Sequence, residues 1–174
     1  MTSDMTLCWT LASFPSLPSG YKHVISLSST IRAKNMLDWK EYIAAILQDN
    51  AIADIAIVGC TPKNKKIWAC RSDGVLGQVT SQEIEVIIDE DRKSILQNGI
   101  TIGGKKYSII RDNMLLEKNP SMDVRTLGGE EKSICIGRSS RVLMFLMGQK
   151  GVHGGVVNKK MHDLVDSLNR NGNI

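Results

Sequence analysis

The sequence predicts an α+β domain in which an antiparallel β-sheet is packed by N- and C-terminal helices, with one short helix elsewhere. Three observations carry that expectation. Apolar residues fall at helical spacing in a segment beginning at Met36, and again from Val157 to Leu168 near the end of the chain. Between them, short runs of β-branched and apolar residues follow one another across gaps of hairpin length, which favours an antiparallel meander over a parallel sheet. Helices with one apolar face each need a sheet face to cover, so the elements belong to one layered domain.

Residues 1–35 carry Ser and Thr at short intervals, Pro15 and Pro18, and no sustained period of 2 or 3.6, so a disordered N-terminal extension is expected there, with the folded domain spanning 36–174. Pro15 and Pro18 form a P-x-x-P pair, the spacing of a short polyproline ligand. From Met36 the pattern changes. Asp38 and Glu41 form a D-x-x-E capping box, and Trp39, Tyr42, Ile43, Ile46 and Leu47 occupy one face of a helix ending near Asp49. ADIAIVGC and KKIWACR read as two strands separated by a turn from Thr61 to Lys65. A second capping box, Thr80 to Glu83, opens a short helix over TSQEIEVIID. Asn98-Gly99 and Gly103-Gly104 are hairpin signals around the expected strands SILQ, ITI and KKYSII. SMDVRT, SICIG and VLMFLM follow as strands, and Val157, Met161, Leu164, Val165 and Leu168 mark the final helix.

The formal net charge of +4 and pI of about 8.9 are mildly basic, too weak for a nucleic-acid binder but suited to an acidic protein or anionic lipid heads. No run approaches the roughly 20 apolar residues of a membrane span. The first residues lack the basic start and unbroken apolar stretch of a secretory signal. Cys8, Cys60, Cys70 and Cys135 form no C-x-x-C pair and no ligand spacing with His23, His153 or His162, so neither a metal nor another cofactor is expected, and reduced intracellular thiols are.

The most distinctive stretch is MGQKGVHGGVVNKK, from Met147 to Lys160. It lacks the G-x-x-x-x-G-K-[ST] pattern of a phosphate loop, and the chain has no G-x-S-x-G elbow to give His153 a nucleophile. Two readings remain for its glycines. They serve a sharp turn from strand into helix with His153 exposed, or they let a partner approach the backbone closely. The flank bearing Asn158, Lys159, His162, Asp163 and Asp166 is polar, as a solvated face or an interface would be.

Taken together, DWKEYI, AIVG followed by IWA, IGGKKYSIIRD, MDVRT and LMGQKGVHGGVVNKK resemble the profilin family over Met36 to Arg170, and the short segment after Arg125 is most like the testis-type vertebrate members. The resemblance implies a non-enzymatic, monomeric, cytoplasmic protein of the cytoskeleton that binds monomeric actin and regulates filament assembly. It implies actin contacts from Lys106, Arg111, Arg125, Val152, His153, Gly155, Asn158, Lys159 and Asp163. It implies a groove for proline-rich proteins at Trp39, Tyr42, Trp68 and Leu168, and phosphoinositide binding by Lys105, Lys106, Arg111 and Arg125, which would compete with actin. The chain departs from the family at Leu96, Gln97 and Asn119, which implies weaker actin binding. Ser167 and Asn173 stand where strong proline binders have aromatics, which implies a weak groove. The alternative is a proline-peptide or phosphoinositide adaptor on the same scaffold with little actin affinity.

Overall fold

The computed structural model describes residues 8–9, 36–128 and 131–170. The elements run β1 (Cys8–Trp9), α1 (Met36–Ile46), β2 (Ile52–Gly59), β3 (Ile67–Arg71), a 3-10 turn (Val75–Gln78), α2 (Ser81–Ile88), α3 (Arg92–Asn98), β4 (Ile100–Ile102), β5 (Lys105–Asp112), β6 (Ser121–Thr126), β7 (Ser133–Arg138), β8 (Val142–Gly148) and α4 (Gly154–Arg170). The strands form one sheet in the order β1-β3-β2-β8-β7-β6-β5-β4. Every pairing is antiparallel except β1 with β3, where Cys8 stands opposite Cys70 and Trp9 opposite Arg71. The α+β expectation holds. Apart from Cys8 and Trp9, the N-terminal extension, Pro15 and Pro18 included, lies outside the described residues, as does Asn173.

The sheet buries both faces at its centre, which is why VLMFLM is apolar without a break. Leu143, Phe145 and Met147 of β8 face a core closed by Leu76 of the 3-10 turn, Ile84 and Ile87 of α2 and Ile95 of α3. Val142, Met144 and Leu146 face the other core, built by Trp39, Tyr42, Ile43 and Ile46 of α1 and Val157, Met161, Leu164, Val165 and Leu168 of α4. The capping box of α2 forms as read: the Glu83 N–H donates to Thr80 Oγ1 at 3.2 Å and the Thr80 N–H to Glu83 Oε2 at 2.8 Å. The same carboxylate accepts from the N–H groups of Gly103 and Gly104, whose positive φ angles make the tight β4–β5 turn.

One strand reading fails. SILQ lies in α3, not in a strand, and Asn98-Gly99 ends that helix instead of turning a hairpin. Two anchors explain it. Asp91 caps the first turn through the Lys93 N–H at 3.1 Å, and Arg92 forms a buried two-point ion pair with Asp112 at 2.8 and 3.2 Å. Gly99 then takes φ of 73°, its N–H closing on the Ile95 carbonyl at 2.8 Å.

Asp54 of β2 is a buried carboxylate that ties the sheet to the 3-10 turn. Its Oδ1 accepts from the Ile55 N–H at 2.8 Å and its Oδ2 from the Leu76 N–H at 3.0 Å. Burial raises its pKa above the usual carboxylate range, against the lowering pull of those donors and of Arg71. The folded protein therefore holds a proton that the unfolded chain releases as pH rises above the ordinary carboxylate value of about 4, and stability falls across that window. Asp54→Asn is expected to flatten this part of the profile, read from denaturant midpoints at a series of pH values. A slope equal to the wild type's would refute it.

Candidate functional site: two partner-facing surfaces

Helix α4 lies along β7 because that strand presents small residues to it. A Cβ on Gly154 would stand 3.3 Å from the Ser133 hydroxyl, and Asn158 Nδ2 reaches Cys135 Sγ at 3.5 Å. A Cβ on Gly137 would lie 2.6 Å from the Met161 sulfur and 2.8 Å from Val165 Cγ2, so only glycine admits the helix at this distance. Beyond β7, the sheet face that α4 covers continues with no described helix over it. The bared face carries Asp123 and Arg125 of β6, Lys106, Ser108 and Arg111 of β5, and Thr101 of β4.

Arg111 reaches that face through a backbone irregularity. Ile109 pairs with Val124, but Arg111 pairs with Asp123, and the register shift between them turns the guanidinium to the helical side. Strict alternation would have sent it the way of Tyr107. Lys105 does follow alternation and lies on the Tyr107 side of β5, opposite Lys106, so the four basic residues read as a lipid site are not all on one face.

At the seam between α4 and the bared strands, Asp123 gathers two of the expected contact residues. Arg111 donates to its Oδ2 from Nε at 2.9 Å and from Nη2 at 2.6 Å, and Asn158 Nδ2 donates to both carboxylate oxygens at 3.0 and 3.1 Å. Cys135 lies beneath them, and burial followed by the Asp123 charge pushes its thiol pKa upward, so it stays neutral. At 3.6 residues per turn, Gly155, Asn158, Lys159 and His162 share the flank of α4 that borders β6, with Lys159 and Asp163 exposed. Gly154 against Ser133, whose strand partner is Arg125, brings the start of α4 beside that arginine. His153 precedes the helix and accepts the Gly155 N–H on Nδ1 at 3.1 Å, which leaves the proton of the neutral ring on Nε2. Val152 is half-buried against the core beneath α4 and presents little side chain outward.

The second surface is aromatic. Trp39 meets Tyr42 edge-on with ring centroids 5.8 Å apart, and Trp68 of β3 lies 6.1 Å from Trp39 at a tilt of 59°. Trp68 is half-buried, whereas Trp39, Tyr42, Leu168 and Ser167 are buried. The Tyr42 hydroxyl has no hydrogen-bond partner among the described residues, and burial raises its pKa. Among those residues no cluster of His, Cys, Asp or Glu is fit to hold a metal ion.

The profilin family model matches residues 37–173. The chain belongs to the profilin family. Human Profilin-3 is 43% identical over 137 residues, covering 79% of this chain and 99% of the relative. Rat Profilin-2 is 41% identical over 140 residues with the same coverage. The crystal structure of rat profilin 2a matches with a TM-score of 0.75 at 38% identity, over 79% of this chain and 99% of that one. Mouse profilin IIa in complex with a double repeat from the FH1 domain of mDia1 matches with a TM-score of 0.73 at 36% identity, over 77% and 98%. Membership places this profilin among proteins that regulate actin assembly and bind proline-rich peptides. No described helix is long and apolar enough to cross a membrane.

Two features escaped the sequence reading. Asp123 was passed over inside MDVRT, although Met122 and Val124 flanking it are the signal that Asp123 and Arg125 share a face. The bulge that re-aims Arg111 left no such signal.

Proposed function

We propose that this profilin binds monomeric actin through the bared strand face and the adjoining flank of α4, and thereby regulates filament growth in the cytoplasm as a monomer. The observation that carries the reading is the seam itself: Arg111 and Asn158 are fixed by one carboxylate, beside exposed Lys159 and Lys106 and half-exposed Arg125. Prepaid ordering of such side chains lowers the entropy cost of docking a rigid protein surface, and their net positive charge suits an acidic one. A titration of fluorescently labelled monomeric actin tests it, with saturable one-to-one binding expected. No binding at micromolar protein would reject it.

Proline-rich ligands bind at Trp39 and Trp68, whose rings lie 6.1 Å apart, with half-buried Trp68 as the open face. This binding is weak, because little of Trp39 is open to solvent and Ser167 supplies no ring. Phosphoinositide heads compete with actin at Lys106, Arg111 and Arg125, with Lys105 contributing from the hairpin end. The adaptor reading draws on the same aromatic pair, and actin binding in the titration above would exclude it.

A further inference from the structure

Asp123 is an acid at the centre of a surface otherwise read as basic. Its side chain is 15% exposed, lying under an Arg111 side chain that is 51% exposed. It takes two donors from Arg111 and one shared donor from Asn158, so strands β5 and β6 and helix α4 meet at one carboxylate. The charged groups facing it are Arg111 from β5 and, two residues along β6, Arg125; Asn158 and Cys135 approach it uncharged from α4 and β7.

We propose that Asp123 is the positioning and specificity residue of this face: its carboxylate holds Arg111 and Asn158 in the arrangement a protein partner needs, and its negative charge keeps the same face from serving anionic lipid equally well. The inference rests on the actin reading above. A folded protein partner presents acceptors at fixed places, so it gains from a guanidinium and an amide that are already oriented. A lipid headgroup cluster moves freely and responds to net charge more than to side-chain geometry. One carboxylate therefore acts in opposite senses on the two ligands. It orders Arg111 for the protein, while it offsets the guanidinium charge and repels phosphate.

Asp123→Asn separates these effects, because the amide fills the same volume but keeps one acceptor where two served three donors. Binding to monomeric actin is expected to weaken by at least about threefold, the scale of one lost charge-assisted hydrogen bond discounted for partial exposure. Co-sedimentation with phosphatidylcholine vesicles containing phosphatidylinositol bisphosphate, read against phosphatidylcholine alone, is expected to strengthen by about threefold or more. Asp123→Glu retains the charge but displaces the acceptors by a methylene. It is expected to weaken actin binding and leave vesicle binding unchanged. A merely structural role would weaken both ligands in Asp123→Asn, and a bulk charge effect would strengthen both; either result, or no change in either, overturns the proposal. Wild-type protein that does not bind actin overturns the preceding reading and this one with it, whereas wild-type binding with parallel shifts in the variant overturns this one alone. Thermal unfolding of each variant checks that the fold is kept, and Asp123→Glu carries the test if Asp123→Asn does not fold.

Discussion

Replacing Lys159 with Glu is expected to lower the affinity for monomeric actin by at least tenfold, about 1.4 kcal/mol. Lys159 is exposed on α4, next to the Asn158 that Asp123 holds, and on the flank that borders the bared strands. A like charge set against an acidic partner costs more than the loss of the lysine alone, since attraction is replaced by repulsion. The substitution should leave the fold intact. Lys159 is the sixth residue of α4, which begins at Gly154, and an acid in the N-terminal half of a helix is compatible with the helix dipole. The folded protein shows no ion pair to Lys159 among the described residues, so no such pair is lost with it. Loss of affinity with an unchanged melting temperature would therefore report the interface directly. Unchanged affinity in the folded variant would remove this flank of α4 from the contact.

The α4 flank was legible in the sequence because a helix writes its buried stripe every three to four residues, and Val157, Met161, Leu164, Val165 and Leu168 leave Lys159 and Asp163 on the open side. The α2 capping box was legible for a similar reason, since Thr80 and Glu83 meet within four residues of chain. Features that depend on distant residues were not. SILQ is helical because Arg92 is held by Asp112, which stands 20 residues further along the chain, and no local pattern announces that pairing. Asn98-Gly99 is a fair hairpin signal read alone, and it serves a helix end equally well because both need a residue at positive φ. Arg111 shows the sharpest limit. The family resemblance gave it a partner-facing role, but period-2 alternation puts it on the Tyr107 face, and only the register shift after Ile109 reconciles the two. The aromatics show the converse case. By apolar pattern Trp39 and Tyr42 are core residues, and their burial agrees. What the pattern could not supply is that Trp68, from a strand, completes their cluster at its outer edge.

That outer position makes Trp68 the residue whose removal should cost proline-peptide binding most cleanly. Trp68→Ala is expected to weaken binding of a polyproline peptide by more than about thirtyfold, the scale of an aromatic hot spot of about 2 kcal/mol. A polyproline helix offers flat ring faces and outward carbonyls, so it is held by stacking on indoles and by a few donors. Trp68 is half-buried, so truncating it removes a stacking face while leaving much of the core beneath α1 in place. Trp39 is different. It is 8% exposed and packs edge-on against Tyr42, so Trp39→Ala should lower stability as well, by about 3 kcal/mol or more for a core aromatic. The two variants thus separate ligand contact from packing: Trp68→Ala should lose peptide with a modest fall in melting temperature, and Trp39→Ala should lose both. Isothermal titration with a polyproline peptide, paired with thermal unfolding, reads the difference. Wild-type affinity in Trp68→Ala would mean that the aromatic cluster is packing alone, and that proline-rich ligands, if they bind this profilin, do so elsewhere.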